Sequence, residues 1–355
     1  MRSRLTLVSL ALALVGTVLL AAPSTAAGSP FDLPRGANTT VPYLAGRTLH
    51  VGSTTYTVPD QSQGGDYRVD YSLIGLDARG RWLVGVDMDL VFQPEEYYYR
   101  YGARERILAV GASGATTMFD ELSNYGAGGH FRLNRNRAHV VLNWAQTDDD
   151  GFADVEVLVI DLDGRVRARA RQLNQDLVTF DASGNRIVMG GKGGKYGARA
   201  RVWTPGGGAR WLTSKATSFA DLRTGSLAVR GTRHRWAMTT LARPNKVRWQ
   251  AWFRPIRVSP DGKRVAGLAV SRRSGESVPI VQIRRRSDGR LVKAFSFTRG
   301  GASGTLAWVG NASVVFAATQ SGRAEVVLVR CGTGGGCARV SDAVPSTTAI
   351  TFAFG

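Results

Sequence analysis

The sequence is poor in the residues on which much enzyme chemistry depends. Its 355 residues include two cysteines and four histidines, His50, His130, His139 and His234. There is no His-x-x-x-His pair, no Gly-x-Ser-x-Gly elbow and no phosphate-binding glycine loop. Zinc-protease, α/β-hydrolase and P-loop chemistry therefore have no local signature. The four histidines read as strand or turn residues. Acidic residues number 27 against 46 basic ones, and no carboxylate pair has a spacing that argues for acid–base work. Helical periodicity is missing as well, because the apolar stretches are short and bounded by glycine.

Long apolar runs are also scarce, and the one present lies at the start. Arg2 and Arg4 precede Leu5 to Ala22, and Pro23-Ser24-Thr25-Ala26-Ala27 follows with small residues. This pattern predicts a signal peptide over residues 1–27 and a mature chain starting near Ala27 or Gly28. The alternative is an uncleaved anchor, since about 18 apolar residues just span a bilayer. No second run approaches spanning length, so the expected location is secreted or extracytoplasmic, at the cell envelope, with no membrane span after cleavage.

In that compartment Cys331 and Cys337, which enclose Gly-Thr-Gly-Gly-Gly, are expected to form a disulfide across a hairpin tip. The formal charge is +19, or +17 without the two arginines of the leader. Such a surface attracts anionic polymers. An even spread of arginine over a solvated surface explains the charge more simply. The densest basic clusters, Arg272-Arg273 and Arg284-Arg285-Arg286, fall at strand ends, and nothing reads nucleic acid specifically.

Glycine is abundant, at 43 residues, and marks a repeat. Each unit begins with an apolar strand, a polar turn and a second strand, as at Gly75 to Val84, Phe180 to Val188 and Val258 to Ala266. Weaker copies occur at Leu133 to Val141, Asp221 to Val229 and Trp308 to Val315. With turn anchors at Gly80, Asn136, Gly184, Gly225, Gly262 and Asn311, the gaps are 56, 48, 41, 37 and 49 residues. Four-stranded propeller blades repeat at roughly 40–45 residues. Asp-Gly pairs at Asp163-Gly164 and Asp288-Gly289 supply the following hairpins.

Six units fit between Tyr67 and Val344. Strand-like leftovers at Arg47 to His50, Thr55 to Val58 and Ala349 to Phe354 suit a composite blade. The prediction is an all-β fold, a single β-propeller of four-stranded blades whose ring is closed by N- and C-terminal strands. Seven blades are expected, with six as the alternative. A lead segment spans 28–46 and the propeller 47–355.

Val258-Ser259-Pro260-Asp261-Gly262-Lys263-Arg264-Val265-Ala266 resembles the WD40-like (PD40) repeat of TolB-type propellers. The resemblance implies a bacterial envelope propeller acting through protein contacts, and it brings no catalytic residues with it.

Three features are candidates for function. Asp148, Asp150 and Asp154, spaced around Gly151, look like calcium-binding propeller loops, with Gln146 at the first ligand position. The plainer reading is a solvated acidic hairpin, and no other cofactor is implied. Tyr97, Tyr98, Tyr99 and Tyr101 form an aromatic segment suited to sugars or protein partners, or to packing on a neighbouring blade. Trp203, Trp211, Trp236, Trp249 and Trp252 read as packing between blades.

The favoured function is a non-enzymatic binding or scaffold module for a protein or glycan at the envelope. One alternative is a propeller enzyme acting on glycans as a hydrolase or lyase. Another is a polyanion-binding surface protein. Oligomeric state is not legible in the sequence.

Overall fold

The computed structural model describes residues 24–26, 28–62, 67–90, 103–123, 127–147, 153–173, 177–191 and 199–353. Among these residues there is no α-helix; the one helical element is a 3-10 turn at Pro30–Asp32.

The strands form four-stranded antiparallel units in chain order. Sheet I comprises Tyr67–Leu76, Trp82–Leu90, Ala103–Gly111 and Gly114–Ser123; sheet II comprises Ala127–Leu133, His139–Thr147, Ala153–Asp161 and Val166–Leu173. Sheet III runs through Leu177–Ser183, Arg186–Gly191 and Arg199–Thr204 into the first half of Gly208–Asp221. The second half of that long strand opens sheet IV, with Ser226–Arg230, Trp236–Thr240 and Trp249–Ala251. Sheet V holds Phe253–Val258, Arg264–Val270, Ser277–Arg285 and Leu291–Phe297. Sheet VI holds Gly301–Val309, Ser313–Thr319, Glu325–Gly332 and Cys337–Arg339.

Sheet VII is composite. The C-terminal strand Ile350–Phe352 pairs with Tyr43–Ala45, which continues into Thr48–Val51 and Thr54–Thr57. Tyr43–Ala45 lies ahead of residue 47, so the sheet begins inside the expected lead segment. Thr351 Oγ1 accepts the backbone N–H of Leu73 at 2.8 Å, tying the first strand of sheet VII to that of sheet I. This repeated meander is the architecture of a β-propeller.

The core is distributed between neighbouring sheets. Leu83 and Ile107 meet Leu142 and Leu158 between I and II, and Val141 and Val157 meet Ile187 and Trp203 between II and III. Leu44 and Leu49 meet Leu73 and Val84 between VII and I, while Phe352 meets Val315 and Leu328 between VI and VII. A middle strand covered on both faces reads as an unbroken apolar run, as Val314 to Ala318 and Val326 to Val329 do.

The repeat anchors locate the turns between first and second strands. The left-handed position is glycine at Gly80 (φ +78°), Gly184, Gly225 and Gly262. In the second and sixth repeats it falls on Arg137 (φ +59°) and Gly310, one residue away from the anchors Asn136 and Asn311. An aspartate opening the turn captures its N–H groups: Asp77 Oδ1 accepts from the backbones of Arg79 and Arg81, both at 2.8 Å.

Successive turns are laced together. Ala78 N–H donates to Arg137 O, Arg135 N–H to Ala182 O, and Leu222 N–H to Asp181 Oδ2. Arg223 reaches the carbonyls of Ser259 and Pro260, and Asn311 accepts from Asp261 N–H. One rim is thus fixed from sheet I to sheet VI.

The N-terminal segment is anchored from Gly28 onward. Gly28 O accepts from Thr298 N–H, Ser29 caps the 3-10 turn, and Phe31 is buried in the cluster between sheets V and VI, beneath the Arg323 guanidinium. Ser24–Ala26, within the expected leader, runs parallel to the outermost strand of sheet V. Among the described residues no helix is long and apolar enough to cross a membrane.

Candidate functional site

First strands face a central cavity of about 1100 Å³. Its wall draws on His130, Phe131 and Arg132 of sheet II, Val178 to Phe180 of sheet III and Thr217 to Asp221 of sheet IV. Arg254 to Val258 of sheet V, Ala307 and Trp308 of sheet VI, and Ala353 beyond the last strand complete it. Such a volume lies just above the ordinary range of ligand sites, roughly 300–1,000 Å³.

The wall is cationic. Arg132, Arg135, Arg223, Arg254 and Arg257 line it, and among the described residues Asp221 is the one carboxylate that does. Asp181 stands just behind, 1 % exposed. Arg135 bridges both acids, at 2.8 Å to Asp181 and 3.4 Å to Asp221. Arg132 lies 3.9 Å from Asp181, and Arg223 3.7 Å from Asp221. Across the axis on sheet V, Arg257 donates to the Ala353 carbonyl, and its own carbonyl accepts from the Trp308 indole.

Burial pushes both central guanidiniums down. Arg257 falls to about 9, chiefly from desolvation and then from the like charges of Arg132 and Arg135. Arg132 falls to about 10, with Arg135 adding to the desolvation while Asp181 and Asp221 oppose it. Both remain cationic at neutral pH. They are positive groups on the wall of one concave space, the environment in which field lines focus.

Of the sequence candidates, Tyr97, Tyr98, Tyr99 and Tyr101 lie outside the described residues, as do Asp148 and Asp150. Asp154 lies on Ala153–Asp161, opposite Gln146 in the register. Among the described residues no three His, Cys, Asp or Glu side chains cluster as a metal site. Cys331 and Cys337 form the expected disulfide between adjacent strands of sheet VI.

Trp203, Trp236 and Trp249 are buried, and Trp236 also lines the cavity. Trp211 is 45 % exposed beside Arg201, and Trp252 is held between Arg235 and Arg272 at 4.1 and 4.3 Å. The expectation of packing between blades therefore fails for Trp211, whose strand position turns it outward.

The dense basic clusters are committed locally. Arg272 covers Trp252, Arg284 covers Phe253, Arg285 pairs with Asp288, and Arg286 reaches Gly262 O and Ser226 Oγ. The charge that reaches the cavity comes instead from arginines isolated in sequence. One signal for it was present. Arg132 stands two residues before Asn134, as Arg257 stands two before Ser259, so both occupy one position of the repeat.

No known protein family's profile matches the sequence, and no curated protein matches it. Solved structures similar in outline include two Sqt1 proteins and a lyase. Chaetomium thermophilum Sqt1 has 12% identity and a TM-score of 0.45, covering 80% of this chain and 74% of its own. Saccharomyces cerevisiae Sqt1 has 9% identity and a TM-score of 0.44, covering 90% and 96%. An oligogalacturonate lyase in complex with manganese has 10% identity and a TM-score of 0.45, covering 80% and 95%. At these values none bears on function, and the propeller assignment rests on the strand order of the chain itself.

Proposed function

We propose that this chain is an exported, seven-bladed, TolB-like propeller that binds a protein or glycan partner at the cell envelope, with the axial cavity as its principal site and without turning the ligand over. The seventh blade is the composite sheet, supported by its contacts with both neighbours. Export is supported by the leader-like segment and by the disulfide.

The observation that carries the binding reading is the identity of the charged groups in the cavity. Among the described residues they are mainly guanidiniums, which hold a ligand but exchange no proton near neutral pH, with His130 and Asp221 beside them. Asp181 and Asp221 are both bridged by Arg135. A hydrolase or lyase would instead need an acid and a base poised for transfer.

Gly304 lines the cavity, and a Cβ there would meet nothing within 4 Å, so Gly304→Trp fills the space without disturbing the wall. Mature protein and this variant are applied to an array of neutral and acidic glycans and isolated envelope proteins. Binding by the parent that is lost in the equally stable variant supports the reading. Equal binding by both places the site elsewhere, and no binding by either removes the binding function.

A further inference from the structure

We infer that the ligand of the axial cavity carries an oxyanion, a carboxylate or phosphate group, seated between Arg132 and Arg135 on one side of the axis and Arg257 on the other. This rests on the cavity being the binding site and adds the chemical class of what enters it.

Charge is the first part of the argument. Among the described residues five guanidiniums reach the cavity wall, against one carboxylate on it and one behind it. Lacing the turns together explains some of them: Arg135 ties sheet II to Asp181 and Asp221, and Arg223 ties sheet IV to the carbonyls of sheet V. Among the described residues the wall still carries more cations than carboxylates. Like charges gathered in a confined space raise the energy of the folded chain, and such arrangements collect at sites where a ligand offsets them.

Geometry is the second part. Arg132 and Arg257 sit at the same repeat position in sheets II and V, so inner strands from opposite parts of the fold aim both into one space. Arg132, Arg135 and Arg257 all line that one cavity. A planar guanidinium presents a fork that matches a carboxylate or phosphate edge, which an ammonium does not. Arginine supplies all five cations.

The rest of the wall describes the body of the ligand. Trp236, Trp308, Phe131, Phe180 and Phe219 line the same cavity. Phe131, Phe219 and Trp236 are buried, but Phe180 and Trp308 are partly exposed and suit a ring-bearing ligand. The volume exceeds what a bare inorganic ion requires. A sugar acid or sugar phosphate fits both the charge and the faces.

The test uses the tryptophan fluorescence of the mature chain, since Trp236 and Trp308 line the cavity. It is titrated with glucose, glucuronate, glucose 6-phosphate and inorganic phosphate at fixed ionic strength. Saturable binding of the anionic sugars with at least tenfold weaker binding of glucose is the expected result. Inorganic phosphate binding as tightly as glucose 6-phosphate supports the oxyanion seat and assigns it to the free ion; weaker phosphate binding assigns it to a sugar anion.

Arg257→Gln is expected to weaken glucuronate at least tenfold. If that variant does not fold, Arg254→Gln, whose side chain is exposed to the cavity, is expected to weaken it severalfold. Equal affinity for glucose and glucuronate, no binding of any of the four probes, or a folded Arg257→Gln variant with parental affinity overturns the inference. Retention of neutral glycans on the array, lost in Gly304→Trp, would then leave the binding function standing without its anionic preference.

Discussion

Asp181 is where the stability of the ring and the charge of the cavity pull in opposite directions, and Asp181→Asn separates them. The carboxylate is 1 % exposed and accepts Arg135 Nε and Nη2 at 3.0 and 2.8 Å and Leu222 N–H at 2.7 Å. One side chain thereby joins sheets II, III and IV. Asparagine keeps the volume but removes the charge, and its amide turns a donor towards groups that already donate. Breaking a buried ion pair costs ~3–5 kcal/mol, and the lower end applies because Arg135 keeps Asp221 at 3.4 Å.

Unfolding entropy of about 2.1 cal/mol/K per residue over roughly 300 ordered residues is ~0.6 kcal/mol/K, so a loss of about 3 kcal/mol lowers Tm by ~5 °C. Asp163→Asn is the control, since it removes the same unit of charge from a pair with Arg79 in which both side chains are about half exposed. Its expected cost is below about 1 kcal/mol, or ~1–2 °C. Calorimetry at pH 7 reads both variants. An Asp181→Asn variant melting within 1 °C of Asp163→Asn would refute the keystone role. Because the substitution also removes negative charge beside Arg132 and Arg135, the less stable protein is expected to bind glucuronate more tightly than the parent.

Other expectations follow from single positions. Gly164 has φ +79°, and a Cβ there would lie 1.8 Å from the Met118 carbonyl oxygen on the neighbouring sheet. Gly164→Ala is expected to cost at least ~2–3 kcal/mol in a denaturant titration, and Gly80→Ala, at φ +78° in open space, only ~1 kcal/mol. Equal losses would show that the contact between sheets does not constrain the turn. Replacing both Cys331 and Cys337 with serine removes a loop closure worth about 2 kcal/mol, so the variant is expected to fold and to melt ~3–4 °C lower; failure to fold would contradict so small a role. The charged groups facing Arg257 are Arg132 and Arg135, and its pKa of about 9 leaves it cationic below that pH and neutral above. Glucuronate affinity is therefore expected to fall between pH 8 and pH 10 at fixed ionic strength, and a flat profile would show that Arg257 keeps its charge through that range.

The repeat was legible because each turn imposes a local chemical demand. Asp77 needs a short carboxylate to capture two backbone N–H groups, and Gly80, Gly184 and Gly262 need freedom at positive φ. Local demands leave marks within five residues. The composite sheet was legible for a related reason, since the strand-like remnants at the two ends had no other partners. The start of that sheet was less clear. Tyr43-Leu44-Ala45 is too short to alternate visibly, and its strand character comes from pairing with Ile350–Phe352, some 300 residues away.

The cavity was hidden for the converse reason. A propeller gives each repeat only one or two side chains at the axis, so a site there has no contiguous motif, and a search by local density is drawn to the wrong arginines. Arg284 to Arg286 form the densest cluster in the sequence and spend their charge on Phe253, Asp288 and Gly262. Arg132 and Arg257 are 125 residues apart and neither stands out from its neighbours. What distinguishes them is a shared repeat position on strands whose second faces already meet the adjacent sheets. At such a position an apolar side chain would serve packing as well, and a guanidinium costs desolvation. Two such costs converging on one cavity, whose described wall carries five guanidiniums and one carboxylate, are accounted for by a negative group arriving from outside the chain.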